Sequence, residues 1–548
     1  MEISRIVREL LEKRGITGEK EIEEYLSMKP QLTYDPFLMK GMKPAVDMIR
    51  DHISKGSRIC IYGDYDCDGV TSIYVLTEVL GQLTDADKID NYIPSRFKEG
   101  YGLKKSAIET IAARGTDLLI TVDCGISQAE EVRYAGQLGM DVIVTDHHNP
   151  GDEIPDCIVL DPKQKDCDYP FEGLCGCGVA YKLSQALQRS IGFDRSVILR
   201  LLDIVGIATI GDVVPLVDEN RTIAKYGLYD IRTGRRDNIR MLLELISRDH
   251  RTLDSYGVSF GIVPHINAAG RIADAYEALK FLQADDRADI KKRAEMLAEY
   301  NSERKSVQEQ AFNSSMVLAG QQCPDSLLPV VRNDNAHEGI VGIVAGKMAD
   351  ALNRPVIVLT EKEGRLKGSG RSIEGIDLYN VVSGHRDFLD RFGGHSAACG
   401  LTLASQEQLD EFRAALEMEM QKLLDEEPDL LEDKGHYDMI IEPEDVTLRT
   451  AMEIECMEPF GNANEKPAFK LESMQIRRAA LIGTGKNHLK FLAERNGRTI
   501  ECVAFFAADR YSELVFSDPV ADIIGRMAVN EFRGTKTVQF IIDKIFPV

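Results

Sequence analysis

Four aspartates of this chain lie directly after predicted β-strands, where binding sites of α/β proteins are commonly found. Each follows directly on a short run rich in Val, Ile and Leu, and such runs are typical of buried parallel strands. In open α/β sheets the ligand site lies outside the carboxyl ends of the strands, so we expect these carboxylates to gather at one sheet edge. A carboxylate cluster of this kind predicts a site for hard divalent cations. The four residues are Asp64, Asp123, Asp146 and Asp161.

The first aspartate begins an alternating series, Asp64, Asp66 and Asp68, between Gly63 and Gly69. In an extended segment all three carboxylates would project to one side. Three adjacent carboxylates repel one another unless cations neutralise them, so the spacing argues for metal. The glycines would permit a tight turn into a helix expected from about residue 70. An acidic surface turn is the alternative interpretation.

The sharpest signal is the third aspartate, because Asp146 is followed by His147 and His148. Neutral imidazole is a common ligand for zinc, manganese or iron. Adjacent histidines on a loop can divide their duties, one binding metal and the other donating a hydrogen bond to an oxyanion. The alternative is that both are structural.

The other aspartates carry weaker signals. Asp123, after its strand, could be a simple helix cap. Asp212 ends the apolar helical stretch 198–210, where it opposes the helix dipole at a cost of about 0.3–1 kcal/mol that a nearby cation would offset. Asp161, directly before Pro162, is expected to be a turn residue rather than a ligand.

Carboxylates and histidine without an obvious nucleophilic Ser or Cys predict metal-activated water. A site with two ions suits phosphoester hydrolysis. An oxygen-rich ligand set with a single imidazole favours Mn²⁺ or Mg²⁺ over Zn²⁺.

The bulk composition limits the class of protein. The chain has 548 residues, enough for roughly three or four domains. Its hydrophobic content of 44% is ordinary, it has no apolar run of about 18 residues, and its start lacks a signal-peptide pattern. The net charge of -23 argues against a general nucleic-acid binder, so any such site must be a local basic groove helped by metal ions.

The 11 cysteines are spread along the chain, many inside apolar runs. This usage predicts reduced, buried thiols in a cytoplasmic protein. Cys175 and Cys177, with Cys167 nearby, form the only local cluster. Because no second pair stands at zinc spacing, we do not expect a metal site there.

Alternation of strand-like and helical segments predicts an α/β fold. We expect an N-terminal parallel-sheet domain, a long connecting helix, a second α/β domain and a C-terminal OB-like β-barrel of five strands. The predicted boundaries are 1–45 for a helical lead-in, 46–284 for the catalytic domain, 285–320 for the connecting helix, 321–425 for the second domain, 426–455 for an acidic linker and 456–548 for the barrel.

Several motifs together resemble known enzymes. The segments 63–69, 122–125, 146–148 and 211–212 resemble the four motifs of the DHH phosphoesterase superfamily. Further segments resemble the single-strand-specific exonucleases of that superfamily, whose second domain is of the DHHA1 type. These segments are 267–272, 337–342, 368–372, 393–398 and 458–461.

The resemblance implies roles for the acidic residues and histidines of the first domain. His148 would contact the scissile phosphate, and Asp64 would complete the first motif as a ligand or as a neighbour of one. Tyr62 stands where relatives with small phosphate substrates carry a histidine. The implied metal ligands are Asp66, Asp68, Asp123 (as a bridge), His147 and Asp212.

The resemblance also implies a substrate-binding role for the second domain, because glycine lets backbone amides approach phosphate closely. Structural packing is the alternative for the two histidines, and an inter-domain salt bridge is the alternative for the first arginine. The implied contacts are Arg271, His337, Arg371, Ser372, Gly393, Gly394 and His395. In the barrel, the candidates for binding single strands by charge and stacking are Lys486, His488, Lys490 and Phe491, and an ordinary surface strand would look the same.

We expect a cytoplasmic, Mn²⁺- or Mg²⁺-dependent exonuclease on single-stranded DNA. The resemblance implies that it releases 5′-mononucleotides from a 5′ end and acts in repair and recombination. A monomer is the default, and the barrel is a possible contact for a single-strand-binding protein. The first alternative is a DHH hydrolase of short oligoribonucleotides or cyclic dinucleotides, against which the barrel counts. The second is a non-catalytic replication scaffold, which would predict broken motifs.

Overall fold

A five-stranded parallel sheet lies at the centre of the N-terminal region in the computed structural model, which describes residues 3–362 and 364–548. The strand order is β2-β1-β3-β4-β5, and all neighbours are parallel. Every residue of β1 and β3 is buried, as in a sheet covered on both faces. The strands are β1 (Ile59–Gly63), β2 (Ile89–Tyr92), β3 (Leu118–Val122), β4 (Asp141–Thr145) and β5 (Ile158–Leu160).

Helices precede, connect and follow these strands. The first eight are α1 (Arg5–Lys13), α2 (Glu19–Leu26), α3 (Met42–Ser54), α4 (Cys67–Leu80), α5 (Lys105–Ala113), α6 (Ala129–Gln137), α7 (Gly176–Ile191) and α8 (Arg195–Arg200). The next seven are α9 (Leu202–Gly211), α10 (Asp218–Arg232), α11 (Asp237–Leu245), α12 (Ser255–Gly257), α13 (Val263–Ile272), α14 (Tyr276–Gln283) and α15 (Arg287–Gln322).

The chain divides into two units. The first holds the chain up to Asn267, Ala275–Ala294 and Gly435–Val548, and the second holds Ala268–Asp274 and Glu295–Lys434. The long helix α15 begins in the first unit and ends in the second.

The second unit contains a five-stranded mixed sheet of order β6-β7-β8-β10-β9, parallel in its first pair and antiparallel in the others. Phe412, Leu416 and Met420 of α18 share a buried cluster with the residues of this sheet. The elements are β6 (Val330–Arg332), α16 (Val341–Leu352), β7 (Val356–Lys362), β8 (Arg365–Arg371), α17 (Leu378–Ser383), β9 (Leu389–His395), β10 (Ala398–Leu403) and α18 (Leu409–Glu426).

The C-terminal region is a closed barrel, as the sequence predicts. Five strands follow one another in the order β12-β13-β14-β16-β15, and pairing of β12 with β15 closes the ring. The elements are β11 (Met439–Ile440), α19 (Leu448–Glu455), β12 (Phe469–Ile482), β13 (His488–Arg495), β14 (Arg498–Ala504), α20 (Ala508–Phe516), β15 (Val520–Phe532) and β16 (Thr535–Pro547).

The N-terminal helices share a hydrophobic core with this barrel, which the sequence did not predict. Leu10 and Leu11 of α1 belong to the same buried cluster as Phe469, Phe491 and Phe540 of the barrel strands. An amphipathic helix buries its apolar face only against another element. The helical lead-in therefore packs more than 400 residues away in sequence, in the same unit as the parallel sheet.

All eleven cysteines are free thiols, and seven of them are buried. Among residues 3–362 and 364–548, no helix combines the length and the hydropathy needed to cross a bilayer.

Candidate metal centre and substrate-binding face

The carboxyl ends of β1, β3 and β4 bring acidic residues and a histidine together. His147 follows β4, and its Nε2 is close to three carboxylates. The distances are 3.1 Å to Asp123 Oδ1, 3.6 Å to Asp212 Oδ2 and 3.7 Å to Asp68 Oδ2. This nitrogen is buried and makes no hydrogen bond in the described structure. Three carboxylates around an imidazole nitrogen that makes no hydrogen bond are a donor set that fits a divalent cation.

The ligand atoms form three overlapping groups, within each of which they lie within 4.8 Å of one another. Asp64 contributes a second buried oxygen, Oδ1, that has no hydrogen-bond partner in the described structure. Orphaned buried polar atoms are costly unless a ligand satisfies them, so they support the fit to cations. The groups are Asp64–Asp66–Asp123, Asp68–His147–Asp212 and Asp123–His147–His148.

The segment that carries Asp66 and Asp68 is not extended, in contrast to the arrangement considered in the sequence analysis. The chain turns into α4 at Cys67, earlier than expected, and Asp66 is the N-cap: its Oδ1 accepts from the backbone N–H groups of Asp68 and Gly69. Gly69 has no positive φ; a Cβ there would lie 2.4 Å from Asp64 O. The glycine serves close packing of α4 against the Asp64 backbone rather than a tight turn.

The N-terminus of α7 holds Asp68. The backbone N–H groups of Gly176 and Cys177 donate to its two oxygens at 2.6 and 2.9 Å. A Cβ at Gly176 would lie 2.6 Å from Asp123 Cβ, so only glycine fits. Sequence reasoning missed these two residues because it weighed the Cys175–Cys177 pair for its thiols, whereas the glycine between them was the useful signal.

Burial and mutual repulsion oppose ionisation of the carboxylates. Burial, with repulsion from neighbouring aspartates, raises the pKa of Asp64, Asp123 and Asp212 well above the usual range. The same causes raise the pKa of Asp68 to about 6. Bound cations would stabilise the ionised forms of these aspartates, which burial and mutual repulsion otherwise disfavour.

The two adjacent histidines occupy different environments. Burial, with repulsion from His148, lowers the pKa of His147 to about 3, which keeps the imidazole in the neutral form that binds metal. The side chain of His148 is 46% exposed. Its Nδ1 lies 2.7 Å from Asp146 Oδ1 and 3.2 Å from the Tyr101 hydroxyl. Burial opposes the charged form of His148, but Asp146 outweighs it and raises its pKa.

The side chains of Asp146 and Tyr62 make hydrogen bonds to backbone groups of the protein. The Oδ2 of Asp146 accepts from the backbone of Ile126, and its Oδ1 accepts from the backbone of His147. Asp146 therefore fixes the loop that carries both histidines. Tyr62 is fully buried and its hydroxyl donates to Gly102 O, so it is not among the grouped ligand atoms.

In the second unit, strand register places Arg371, Ala398 and His395 in one row across β8, β10 and β9. Residues opposite one another on neighbouring strands project to the same face. Gly393 and Gly400 form a row on that face, where an added Cβ would meet no described heavy atom within 4 Å. The structure thus brings Arg371, His395 and Gly393 onto one open sheet face.

The remaining predicted contacts of this unit surround the loop before α16 or face away. Arg271 Nη1 donates to Gly339 O, and His337 Nδ1 accepts from Gly339 N. Ser372 Oγ donates to Ile376 O within its own turn. An added Cβ on Gly394 would lie 2.3 Å from Ala398 O, so this glycine serves close packing.

One barrel candidate is wrong. Phe491 is only 1% exposed and belongs to the barrel core, so it cannot stack on a base. Lys490 pairs with Glu501 at 2.9 Å. His488 instead packs against Phe505 and Phe506, which are 54% and 79% exposed and which sequence reasoning missed. Two adjacent phenylalanines directly after a strand were the available signal.

The fold and the site define a phosphoesterase of the DHH class. The model of the DHH family, N-terminal domain matches residues 58–209, the DHHA1 domain matches 325–422 and the RecJ OB domain matches 437–544. The domain order is the one that the sequence motifs implied.

The chain is similar over its full length to proteins named single-stranded-DNA-specific exonuclease RecJ. It is 38% identical to that of Bacillus subtilis over 99% of this chain and 68% of the relative, and 32% identical to that of Salmonella typhimurium over 99% and 96%. The crystal structure of RecJ in complex with Mn²⁺ from Thermus thermophilus matches with a TM-score of 0.81 and 26% identity, covering 100% of this chain and 79% of that one. The chain belongs to the RecJ family.

Proposed function

We propose that this protein is a metal-dependent exonuclease specific for single-stranded DNA, which releases 5′-mononucleotides from the 5′ end and acts in repair and recombination. The observation that carries the proposal is the cluster of carboxylates around the buried Nε2 of His147, in a chain of the RecJ family. The acidic balance of the chain is compatible with this because cations at the site offset the local negative charge.

Two divalent cations, Mn²⁺ or Mg²⁺, fit the donor set; structures of RecJ from Thermus thermophilus contain each of them. Such ions lower the pKa of water and neutralise charge on a phosphodiester. The residues that would hold them are Asp64, Asp66, Asp68, Asp123, His147 and Asp212.

His148 is suited to contact the scissile phosphate. Its Nδ1 is engaged by Asp146, which leaves Nε2 for a phosphate oxygen. Its raised pKa favours the imidazolium form, and a charged donor stabilises an oxyanion more strongly than a neutral one.

The open face of the second unit is suited to a terminal phosphate. Arg371 and His395 share that face, and an added Cβ on Gly342 in the first turn of α16 would lie 2.9 Å from Arg371 Nη2. A guanidinium beside a helix N-terminus is a favourable environment for an anion.

The cellular setting is part of the proposal. We expect a monomer that acts in the cytoplasm, where single strands arise during repair. The barrel, with its exposed Phe505 and Phe506, would contact single-stranded DNA or a single-strand-binding protein.

The test is digestion of a single-stranded oligonucleotide labelled at the 5′ end in one set and at the 3′ end in another. Each set is incubated with Mn²⁺, Mg²⁺ or EDTA, beside the matching duplex. With metal and not with EDTA, we expect the 5′-labelled single strand, and not the duplex, to release a labelled mononucleotide from the first cleavage. The 3′-labelled strand should shorten progressively before its label is released. Turnover of two-to-five-nucleotide substrates without cleavage of long strands would favour a hydrolase of short oligoribonucleotides instead.

A further inference from the structure

The loop that follows Asp212 is held in an uncommon conformation. Asp212 is the C-cap of α9, and Val213 after it has a φ of 58° and is 64% exposed. A β-branched residue with positive φ is a backbone outlier, and such residues persist only where their surroundings fix them. The residues that fix this loop therefore also fix the start of the turn that carries the Asp212 carboxylate.

Asn220, on α10 of the predicted catalytic domain, makes one of the contacts that fix the loop after Asp212. Its Nδ2 donates to Pro215 O at 3.0 Å and to Gly173 O at 2.6 Å. This contact ties the loop to the segment that leads into α7, whose N-terminus binds Asp68. It does not reach Val213, where the backbone is strained.

Asn462, which precedes the barrel strands, makes another of the contacts that fix the loop. Its Nδ2 donates to Val213 O at 2.8 Å, and its own carbonyl accepts from Leu216 N at 2.8 Å. A Cβ on the neighbouring Gly461 would lie 2.7 Å from Leu216 Cδ1. The loop and this segment are therefore in close contact within the same unit.

The segment 457–464 is itself well fixed. The side chain of Asn464 donates to Met457 O and Pro459 O, and its Oδ1 accepts from the Tyr25 hydroxyl at 2.6 Å. Arg221 Nη1 donates to Met457 O at 2.9 Å. A segment held by so many buried polar contacts can impose a position on the loop that it touches.

The position of the Asp212 side chain depends more on its backbone than do the positions of Asp68 and Asp123. Its side chain is 24% exposed, whereas those of Asp68 and Asp123 are 1% and 4% exposed. Burial and, for Asp68, the amides of α7 fix those two carboxylates, whereas the more exposed Asp212 depends on the position of its backbone. We propose that Asn462 is a positioning residue that sets Asp212 for cation binding, so that the barrel side of the chain tunes the metal centre; this rests on the proposed function.

The experiment compares Mn²⁺ binding by the full-length protein and three variants, measured as free Mn²⁺ by electron paramagnetic resonance. Asn462→Ala removes the donor to Val213, and Asn462→Asp keeps the shape but places an oxygen against Val213 O. Ser255→Ala is the matched control, because Ser255 Oγ donates to Phe460 O in the same segment and its loss leaves the donor to Val213 in place.

We expect both Asn462 variants to bind Mn²⁺ about 10- to 100-fold more weakly, the range for residues that orient metal ligands. Their exonuclease activity should recover as Mn²⁺ is raised, while Ser255→Ala should match the unchanged protein. If Asn462→Ala fails to fold, Asn462→Asp decides the question.

Two outcomes overturn the inference: unchanged Mn²⁺ affinity in a folded Asn462 variant, or an equal loss of affinity in Ser255→Ala, which would mean general loosening of the contact. Absence of Mn²⁺ binding by the unchanged protein would instead contradict the proposed function.

Discussion

At the scale of single residues, the carboxylates that would bind cations lower the stability of the metal-free protein. Asp123 is buried among other carboxylates, and burial with their repulsion raises its pKa. The metal-free fold therefore disfavours the ionised form of Asp123, which bound cations would stabilise.

Asp123→Asn should have opposite effects on activity and stability. We expect exonuclease activity to fall by at least about 100-fold, because outer-shell changes alone cost 10- to 100-fold. In EDTA the thermal midpoint should rise, since a repelling carboxylate is replaced by a neutral group of the same shape. The exposed Asp87→Asn is the control for both measurements. A lower midpoint of Asp123→Asn in EDTA would contradict this account of the cluster.

Asp161 provides a prediction of pH dependence. Its side chain is buried, its Oδ1 accepts from Lys163 N, its Oδ2 has no hydrogen-bond partner in the described structure, and burial raises its pKa to about 7. The unfolded chain loses this proton near pH 3.8, so the folded protein binds more protons between about pH 4 and 7. The stabilising contribution of the group is thus complete below pH 3.8 and lost as the pH rises to 7.

Asp161→Asn keeps the acceptor for Lys163 N but cannot ionise. We expect its thermal midpoint, relative to the unchanged protein, to increase between pH 5 and pH 8 when both are measured in EDTA. A difference that is constant with pH would show that Asp161 does not titrate in this range.

At the scale of elements, the start of α7 is the critical contact between secondary structure and site. Its first N–H groups bind Asp68, and Gly176 packs on Asp123. A helix N-terminus stabilises a carboxylate through these amides and its dipole.

Gly176→Ala should disturb both aspartates together. The added methyl would lie 2.6 Å from Asp123 Cβ, so helix or carboxylate must move. We expect a loss of about 1–3 kcal/mol in stability from overpacking and a fall of about 10- to 100-fold in Mn²⁺ affinity. Gly136→Ala in α6 is the control, because its Cβ would enter open space and should stabilise the helix slightly. Normal Mn²⁺ affinity in Gly176→Ala would show that α7 does not position the site.

At the scale of the whole molecule, the two ends of the first unit are folded together. Leu11 of α1 is fully buried in the cluster formed with the barrel strands. Ser4 N donates to Glu453 and Lys13 Nζ donates to Asp438 O, which adds polar contacts between the same segments.

Leu11→Ala should therefore destabilise the barrel although it lies outside it in sequence. We expect a loss of about 2–5 kcal/mol in the free energy of unfolding of this region, as for other buried leucines. Thermal melting and limited proteolysis that reports cuts within 469–547 would measure it. Leu138→Ala, at a residue that is 41% exposed, is the control and should change little. Unchanged protease resistance of the barrel would contradict a shared core.

The sequence by itself determined the fold class and which residues are candidates for the metal centre. The apolar strands of the parallel sheet, the long helix α15 and the barrel strands lie close to where the local pattern placed them, because burial on a sheet and helical periodicity are local properties. The start of α4 at Cys67 is an exception. The aspartates after β1 and β3 and the histidines after β4 meet because carboxyl ends of parallel strands share an edge.

Only the tertiary structure decided how the site is supported. The amides of Gly176 and Cys177 on Asp68, Asn462 on Val213, and α1 in the barrel core join residues that are far apart in sequence. Phe491 looked like a stacking residue because alternation along a strand does not say which face is the core. These contacts are set by packing between elements, and no local pattern along the chain records which elements will meet.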